Sequence, residues 1–118
     1  MRKRSRVLMV DDDEDMTMLV AEVLGSRGLD VVRCQRADEA MAALGEADAV
    51  VTDVNLEHSS GIDLCGRIVA ARPALPVVVI SGDQGSKAAA MRRGAARFLV
   101  KPIDMIQLCT LLEELIGV

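Results

Sequence analysis

Four short apolar runs in this chain each end on a charged or hydroxyl side chain. These residues are Asp11, Asp12 and Asp13 after the first run, Asp53 after the second, Ser81 after the third and Lys101 after the fourth. A continuous apolar run bounded by polar residues is typical of a strand buried on both faces in a parallel sheet. Because the carboxyl ends of parallel strands meet at one edge of an open α/β sheet, the sequence predicts one polar site. It would combine carboxylates, a hydroxyl and an ammonium group.

The adjacent carboxylates indicate that this site binds a divalent cation. Mg²⁺ is bound in proteins by one or two carboxylates together with water and substrate oxygens, and Asp11 and Asp12 beside Asp53 provide such a donor set. Several carboxylates at a buried strand end oppose folding unless a cation offsets their charge. Alternatively, residues 11–13 are only an acidic cluster at a helix N-terminus, where the helix dipole favours acids.

The composition predicts one domain with an aliphatic core. The chain has 118 residues, of which 51% are apolar but only 1% aromatic, and its net charge is −4. Basic residues concentrate at Arg2, Lys3, Arg4 and Arg6, which we expect to form only a solvated tail. The acidic remainder argues against a nucleic-acid surface, which needs clustered Lys and Arg. Because no apolar run approaches the roughly 18 residues of a membrane span and no signal peptide is recognisable, we expect a cytoplasmic protein without membrane contact.

The cysteines and the single histidine do not indicate a second metal site. Cys34, Cys65 and Cys109 form no C-x-x-C pair and each has apolar neighbours. We therefore expect three small buried side chains in a reducing compartment. His58 has no second type of ligand at metal spacing and is expected to be a solvated loop residue.

The apolar pattern predicts five strands that alternate with five helices. Strands are expected at residues 7–10, 30–34, 49–53, 75–80 and 96–101, and helices are expected to start at residues 14, 37, 62, 86 and 104. The first helix has an apolar stripe at helical spacing, formed by Met16, Leu19, Val20, Val23 and Leu24. This alternation is typical of a doubly wound α/β domain with a parallel sheet and right-handed crossovers.

Four motifs in the expected order carry a resemblance to a known family. They are Val10-Asp11-Asp12, Asp53 with Gly61 eight residues later, Ser81-Gly82, and Lys101-Pro102 with Phe98 three positions before the lysine. From about residue 6 to residue 116 the chain resembles the CheY-like receiver domain of bacterial two-component response regulators. The resemblance implies a flavodoxin-like fold with a five-stranded parallel sheet in the order 2-1-3-4-5. It also implies that residues 1–118 form one receiver domain, with no output domain visible in the sequence.

The resemblance implies a phosphorylation site at Asp53. A phosphohistidine of a sensor histidine kinase or a histidine phosphotransfer protein would donate the phosphoryl group in a reaction that needs Mg²⁺ or Mn²⁺. Asp12, Asp53 and the backbone carbonyl of Asn55 would bind the metal directly, and Asp11 would act through water. Lys101 would pair with the phosphoryl group, because negative charge must be neutralised where it develops in such a transfer. The domain would catalyse only its own phosphorylation and dephosphorylation and would not be an enzyme.

The same resemblance implies a conformational switch. Ser81 would bond the phosphoryl group, Phe98 would move into the space that Ser81 vacates, and Pro102 would follow a cis peptide bond. The change would reach the surface of the fourth helix, fifth strand and fifth helix, a possible homodimer interface. Alternatively, Ser81 is only a helix cap, Phe98 is an ordinary core residue, and Lys101-Pro102 is a simple exit from a strand.

Some positions depart from the family pattern or vary within the family. Glu57 occupies the place where the family usually has proline, four residues after the phosphoacceptor. The stretch from Ser81 to Lys101 is about two residues shorter than usual, and the deletion falls within residues 83–87. Asn55 and Asp83 resemble the variable pair that flanks the phosphoryl group. We therefore expect Asp83 to help orient the attacking water and to shorten the lifetime of the phosphorylated state.

A second function class is a small Mg²⁺-dependent phosphohydrolase of the haloacid dehalogenase type, which also uses an aspartate nucleophile after a strand. Such an enzyme needs a second acid two residues after the nucleophile, where this chain has Asn55. No P-loop or G-x-G-x-x-G motif is present either, so nucleotide binding is not supported. The sequence therefore favours the phosphoacceptor.

Overall fold

Five parallel strands form one sheet with helices on both faces. The computed structural model describes residues 4–118. The sheet contains β1 (Arg6–Val10), β2 (Asp30–Cys34), β3 (Ala49–Asp53), β6 (Val77–Ser81) and β7 (Arg97–Val100), and a separate hairpin is formed by β4 (Asn55–Leu56) and β5 (Ser59–Ser60). The helices are α1 (Glu14–Ser26), α2 (Ala37–Ala42), α3 (Gly61–Ala71), α4 (Lys87–Arg92) and α5 (Met105–Ile116). Short 3-10 turns cover Leu44–Glu46 and Gln84–Ser86.

The strand order confirms the predicted fold class. The strands lie in the order β2-β1-β3-β6-β7, which is 2-1-3-4-5 when only the strands of this sheet are counted. All neighbouring pairs are parallel, and the register places Thr52 beside Val10 and Asp53 beside Ile80. The direction of winding reverses between β1 and β3, and ligands of open α/β sheets bind in the crevice outside such a reversal. Strands β1 and β3, which carry the acidic residues of the predicted site, therefore end at that crevice.

The sheet divides the core into two aliphatic layers. Because side chains of a strand alternate between faces, Val50 packs in a layer with residues of α2, α3 and α4, and Val51 packs in a layer with residues of α1 and α5. All three cysteines are free and buried, as expected. Burial raises the pKa of the Cys34 thiol to about 11, so this thiol stays protonated and unreactive at neutral pH.

One residue of α1 that was predicted to lie in the core is exposed. Leu19 is 47% exposed, although the stripe predicted it to be buried, and Thr17 lies in the buried face instead. Successive helical residues are rotated by about 100°, so Leu19 lies about 100° from Val20 and outside that face. The Thr17 hydroxyl donates a hydrogen bond to the carbonyl of Glu14, which makes its burial tolerable.

The basic N-terminal segment is more than a solvated tail, contrary to the prediction. Arg4 donates hydrogen bonds to the carbonyls of Gly25 and Gly28, where α1 ends. Arg6 begins β1, and its guanidinium pairs with Glu46. The carbonyls at a helix C-terminus carry partial negative charge and attract cations, which explains the position of Arg4. Arg2 and Lys3 lie outside the described residues.

The element boundaries differ from the predicted ones for local reasons. Strand β6 begins at Val77 and not at residue 75, because Pro76 has no N–H for the strand ladder. Helix α4 begins only at Lys87, after the 3-10 turn that follows Asp83. Asp104 precedes α5 and caps it by accepting hydrogen bonds from the amides of Ile106 and Gln107. No helix within residues 4–118 is long and apolar enough to cross a membrane.

The turn between β4 and β5 holds His58 in the left-handed backbone region, with φ of 63°. His58 is exposed, as expected of a solvated loop residue, and its ring lies 3.4 Å from the Glu57 carboxylate. The left-handed region costs an L-residue about 1 kcal/mol, whereas glycine adopts it without strain. We expect His58→Gly to raise the free energy of unfolding by about 0.5 kcal/mol in urea melts, since the greater entropy of unfolded glycine offsets part of the gain. His58→Ala is the control. A glycine variant no more stable than the alanine variant would contradict the proposal that backbone strain at residue 58 lowers stability.

Candidate functional site

The carboxyl ends of four strands bring the predicted site residues to one edge of the sheet. Asp11 follows β1, Asp53 ends β3, Ser81 ends β6 and Lys101 follows β7. Asp11, Asp53 and Ser81 are each at most 5% exposed. Burial of polar groups has a cost unless they are paired, so the contacts of these side chains decide what the site can do.

Three carboxylates converge at this edge. Asp11, Asp12 and Asp53 each place one carboxylate oxygen within 4.8 Å of the others, and Asp12 is the exposed member at the mouth of the site. Among the residues that the structure describes, this is the acidic group with metal-binding geometry. Hard oxygen donors at this spacing suit a divalent cation such as Mg²⁺.

The Lys101 ammonium reaches into the acidic cluster. Its Nζ donates a hydrogen bond of 3.2 Å to Asp53 Oδ2 and lies 3.7 Å from Asp11 Oδ2, which is an ion pair but too long for a hydrogen bond. Burial by itself lowers the pKa of Lys101, but the hydrogen bond to Asp53 and the negative charges of Asp11 and Asp53 outweigh it, so the pKa is raised. Lys101 is therefore charged at neutral pH. The peptide bond between Lys101 and Pro102 is cis.

Asp11 has one carboxylate oxygen without a hydrogen-bond partner. Oδ1 accepts a hydrogen bond of 3.0 Å from the amide of Asp13. Oδ2 is buried and has no such partner anywhere in residues 4–118. Burial, and then the charge of Asp53, raise the pKa of Asp11 against the opposing effect of the Asp13 amide. Because a buried carboxylate oxygen without a hydrogen-bond partner is costly, the residues present fit a cation bound beside it.

Gly61 allows the backbone of α3 to approach Asp53 closely. A Cβ built on Gly61 would overlap the Asp53 carbonyl oxygen and lie 2.7 Å from its carbonyl carbon. The amide of Gly61 donates a hydrogen bond of 2.7 Å to the carbonyl of Val54. The spacing of eight residues between Asp53 and Gly61 therefore has a steric cause: any side chain at residue 61 would displace the backbone of the predicted phosphoacceptor.

Comparison with known proteins identifies the family. The family model of the response regulator receiver domain matches residues 7–113. The chain belongs to that family. The DNA-binding transcriptional regulator NtrC of Rhizobium meliloti is 36% identical over 106 residues, which cover 86% of this chain and 22% of NtrC. The response regulator protein PilR of Pseudomonas aeruginosa is 34% identical over 106 residues, which cover 86% of this chain and 24% of PilR. This chain thus spans about a quarter of the length of these two relatives.

A solved structure supports the fold of this receiver domain. The CheY-like receiver domain protein of Methanospirillum hungatei superposes with a TM-score of 0.90 at 21% identity, over 98% of this chain and 95% of that one. Identity at this level shows the fold alone. The recognition of a receiver domain in the sequence is confirmed, and the domain is a signalling module of two-component response regulators and not a dedicated enzyme.

The predicted switch residues of the receiver domain lie along one side of its sheet. Ser81 Oγ accepts a hydrogen bond of 3.0 Å from the amide of Asp83, so its hydroxyl hydrogen is free to be donated elsewhere. Phe98 is half-buried and packs against the same apolar layer as Val79, its register partner two residues before Ser81. The switch roles of Ser81 and Phe98 stay predictions.

The two residues expected to tune dephosphorylation lie on opposite loops. Asn55 is exposed at the start of the β4–β5 hairpin. The carboxylate of Asp83 accepts a hydrogen bond of 2.8 Å from the amide of Gly85 and so caps the 3-10 turn before α4. This bond uses one oxygen of Asp83, and its role toward water stays a prediction.

One residue beside the site was not predicted. Thr52 is fully buried, and its hydroxyl donates a hydrogen bond of 3.0 Å to the Asp53 carbonyl. The available signal was a single hydroxyl residue inside the apolar run before Asp53.

Proposed function

We propose that this receiver domain accepts a phosphoryl group on Asp53 from the phosphohistidine of a sensor histidine kinase or a histidine phosphotransfer protein in the cytoplasm. The observation that carries the proposal is the contact of Asp53 with Lys101 at 3.2 Å, inside a cluster of carboxylates within 4.8 Å of one another. A carboxylate next to a fixed cation and a cation site is the arrangement that phosphoryl transfer needs. The reaction depends on Mg²⁺ or Mn²⁺.

The residues of this chain divide the chemistry between them. An oxygen of Asp53 forms a bond to phosphorus while the bond from phosphorus to the donor imidazole breaks. The other ring nitrogen of the donor takes a proton from water, so the imidazole leaves as a neutral base. The Lys101 ammonium pairs with the Asp53 carboxylate before the transfer and with the phosphoryl oxygens after it. The Ser81 hydroxyl turns its hydrogen toward the same oxygens. Asp11, Asp12, Asp53 and the Asn55 carbonyl would hold the cation, which supplies charge neutralisation for the entering phosphoryl group.

The proposal is tested by locating the phosphoryl group. The wild-type protein is incubated with acetyl phosphate and Mg²⁺, and its peptides are mapped by mass spectrometry at low temperature. One modification at Asp53 that disappears when the metal is chelated is the expected result. A modification that maps to any other residue would contradict the assignment of the phosphoacceptor.

Removal of one charge from the acidic cluster should have opposite effects with and without metal. The charge of Asp12 is one of the causes that raise the pKa of the buried Asp11, so the repulsion opposes folding of the metal-free protein. Asp12→Asn is expected to raise the free energy of unfolding of that state by about 1 kcal/mol. It should lose most of the stabilisation by Mg²⁺, which for wild type is about 2.7 kcal/mol at a hundredfold excess over Kd. Asp15→Asn, an exposed acid in the first turn of α1, is the matched control.

The pH dependence of the metal-free protein provides a second check on this cluster. Because burial raises the pKa of Asp11 above its ordinary value, the native state binds this proton more tightly than the unfolded state. The contribution of Asp11 to stability therefore improves as the pH falls through its raised pKa toward the ordinary value of 3.8, and Asp12→Asn should weaken that trend. An Asp12→Asn protein that melts below wild type without metal, or that gains fully from Mg²⁺, would show that the cluster is not a strained cation site.

We also propose that phosphorylation promotes a homodimer through α4, β7 and α5. A groove of about 490 Å³ lies between β7 and α5. Its apolar lining includes Phe98, Leu99 and Leu111, and its charged lining residues are Arg97 and Glu114. In an isologous dimer, Arg97 of each copy would meet Glu114 of the other. In sedimentation velocity, Arg97→Glu is expected to weaken the phosphorylated dimer about tenfold, and Arg97→Glu with Glu114→Arg to restore it. A double variant as weak as the single one would exclude this pairing.

A further inference from the structure

Thr52 places a hydroxyl group in an otherwise apolar layer of the core. It is fully buried, and Val10 and Val79 are its register partners on the two neighbouring strands. Valine has nearly the same shape as threonine, so packing alone would favour a third valine at this position. A buried hydroxyl is tolerated only when it is hydrogen-bonded, and the bond that it makes therefore indicates its role.

The hydroxyl of Thr52 bonds the backbone of the phosphoacceptor. Oγ1 donates a hydrogen bond of 3.0 Å to the Asp53 carbonyl oxygen. Gly61 also lies close to this carbonyl, and a Cβ on Gly61 would lie 2.9 Å from Thr52 Oγ1. Thr52 and Gly61 thus both contact the peptide group that links Asp53 to Val54. This peptide group carries the chain from the Asp53 side chain to the hairpin that begins at Asn55.

We propose that Thr52 is a positioning residue for Asp53. By bonding the Asp53 carbonyl, its hydroxyl holds the following peptide group in one orientation and so keeps the Asp53 carboxylate aimed at Lys101 and the acidic cluster. Small misplacements of a reacting group reduce rates even when binding is unaffected. The inference rests on the proposed function, since it is phosphorylation of Asp53 that the orientation serves.

The test compares Thr52→Val, which loses the hydroxyl but keeps the shape, with Thr52→Ser, which keeps the hydroxyl. Loss of one neutral hydrogen bond predicts a maximal rate of phosphorylation by acetyl phosphate about 3- to 10-fold lower in Thr52→Val, at an unchanged half-saturating donor concentration. Thr52→Ser should stay within about twofold of wild type by the same reasoning. Thr17→Val, at a buried threonine in α1, is the control and should keep the wild-type rate.

Stability separates a positioning role from a purely structural one. Thr52→Val removes the hydroxyl donor of the Asp53 carbonyl, and Thr17→Val removes the hydroxyl that bonds the Glu14 carbonyl, so urea melts should show a similar small loss of stability in both variants. A purely structural effect would lower the rate in both variants, whereas a positioning role lowers it only in Thr52→Val. The proposal is overturned if Thr52→Val reacts at the wild-type rate, or if Thr52→Ser loses as much rate as Thr52→Val.

A further measurement separates this inference from the proposed function. If wild type accepts no phosphoryl group, the proposed function fails, and NMR then decides the role of Thr52. Thr52→Val must shift the amide resonances of Asp53, Val54 and Gly61 more than Thr52→Ser does, and must weaken Mg²⁺ binding in calorimetry. Amide shifts equal in the two variants, or unchanged Mg²⁺ affinity, overturn the inference.

Discussion

Asp53→Asn is expected to abolish phosphorylation of this receiver domain. The carboxylate oxygen of Asp53 is the proposed nucleophile, and an amide oxygen is a far weaker one because it carries no full negative charge. The substitution also removes one of the two carboxylates that pair with Lys101, whose Nζ lies 3.2 Å from Asp53 Oδ2. Because asparagine has almost the same volume, the buried position should still pack, and the loss of reaction would not come from unfolding.

The measurement is uptake of a phosphoryl group, followed by intact-protein mass spectrometry with both acetyl phosphate and a phosphorylated histidine phosphotransfer protein as donors. Asp63→Asn is the matched control, because Asp63 is an exposed carboxylate on α3 that pairs with Arg93. Wild type and Asp63→Asn should each take up one group. Mg²⁺-dependent uptake that persists in Asp53→Asn would place the phosphoacceptor at another residue.

Gly61→Ala is expected to lower the free energy of unfolding by about 3 kcal/mol, the upper range for overpacking a closely packed position. The methyl group would overlap the Asp53 carbonyl oxygen, and backbone cannot move aside as the end of a flexible side chain can. The hydrogen bond from the Gly61 amide to the Val54 carbonyl, 2.7 Å long, fixes the contact from the other side. Any relief must therefore shift the Asp53 backbone, so Mg²⁺ affinity should fall with stability.

Gly25→Ala is the matched control for that experiment. Gly25 lies in α1, and no atom lies within 4 Å of the place its Cβ would occupy. Alanine is the better helix former, so this variant should gain about 0.5–1 kcal/mol. The chain has no Trp or Tyr, so urea melts must be followed by circular dichroism. A Gly61→Ala protein as stable as wild type would contradict the close approach of α3 to the Asp53 backbone.

The sequence by itself determined which apolar runs form buried strands and which polar residues end them. Asp11, Asp53, Ser81 and Lys101 could be predicted at one edge because burial on both faces of a parallel strand needs an uninterrupted apolar run. The polar residue that stops the run then lies at the carboxyl end. The order of the strands came from the resemblance to receiver domains and not from the pattern, because apolar periodicity contains no information on which strands are neighbours.

Only the tertiary structure decided how these side chains meet. The ion pair of Asp11 with Lys101, the hydrogen bond from Lys101 to Asp53 and the close approach of Gly61 to the Asp53 carbonyl each join residues of different elements. The same holds for Arg4, whose basic character suggested a solvated tail but whose guanidinium caps α1 at Gly25. Patterns along a chain report the environment that each residue needs. Distances between residues on different strands depend on register and helix approach, which are set by packing of the whole domain.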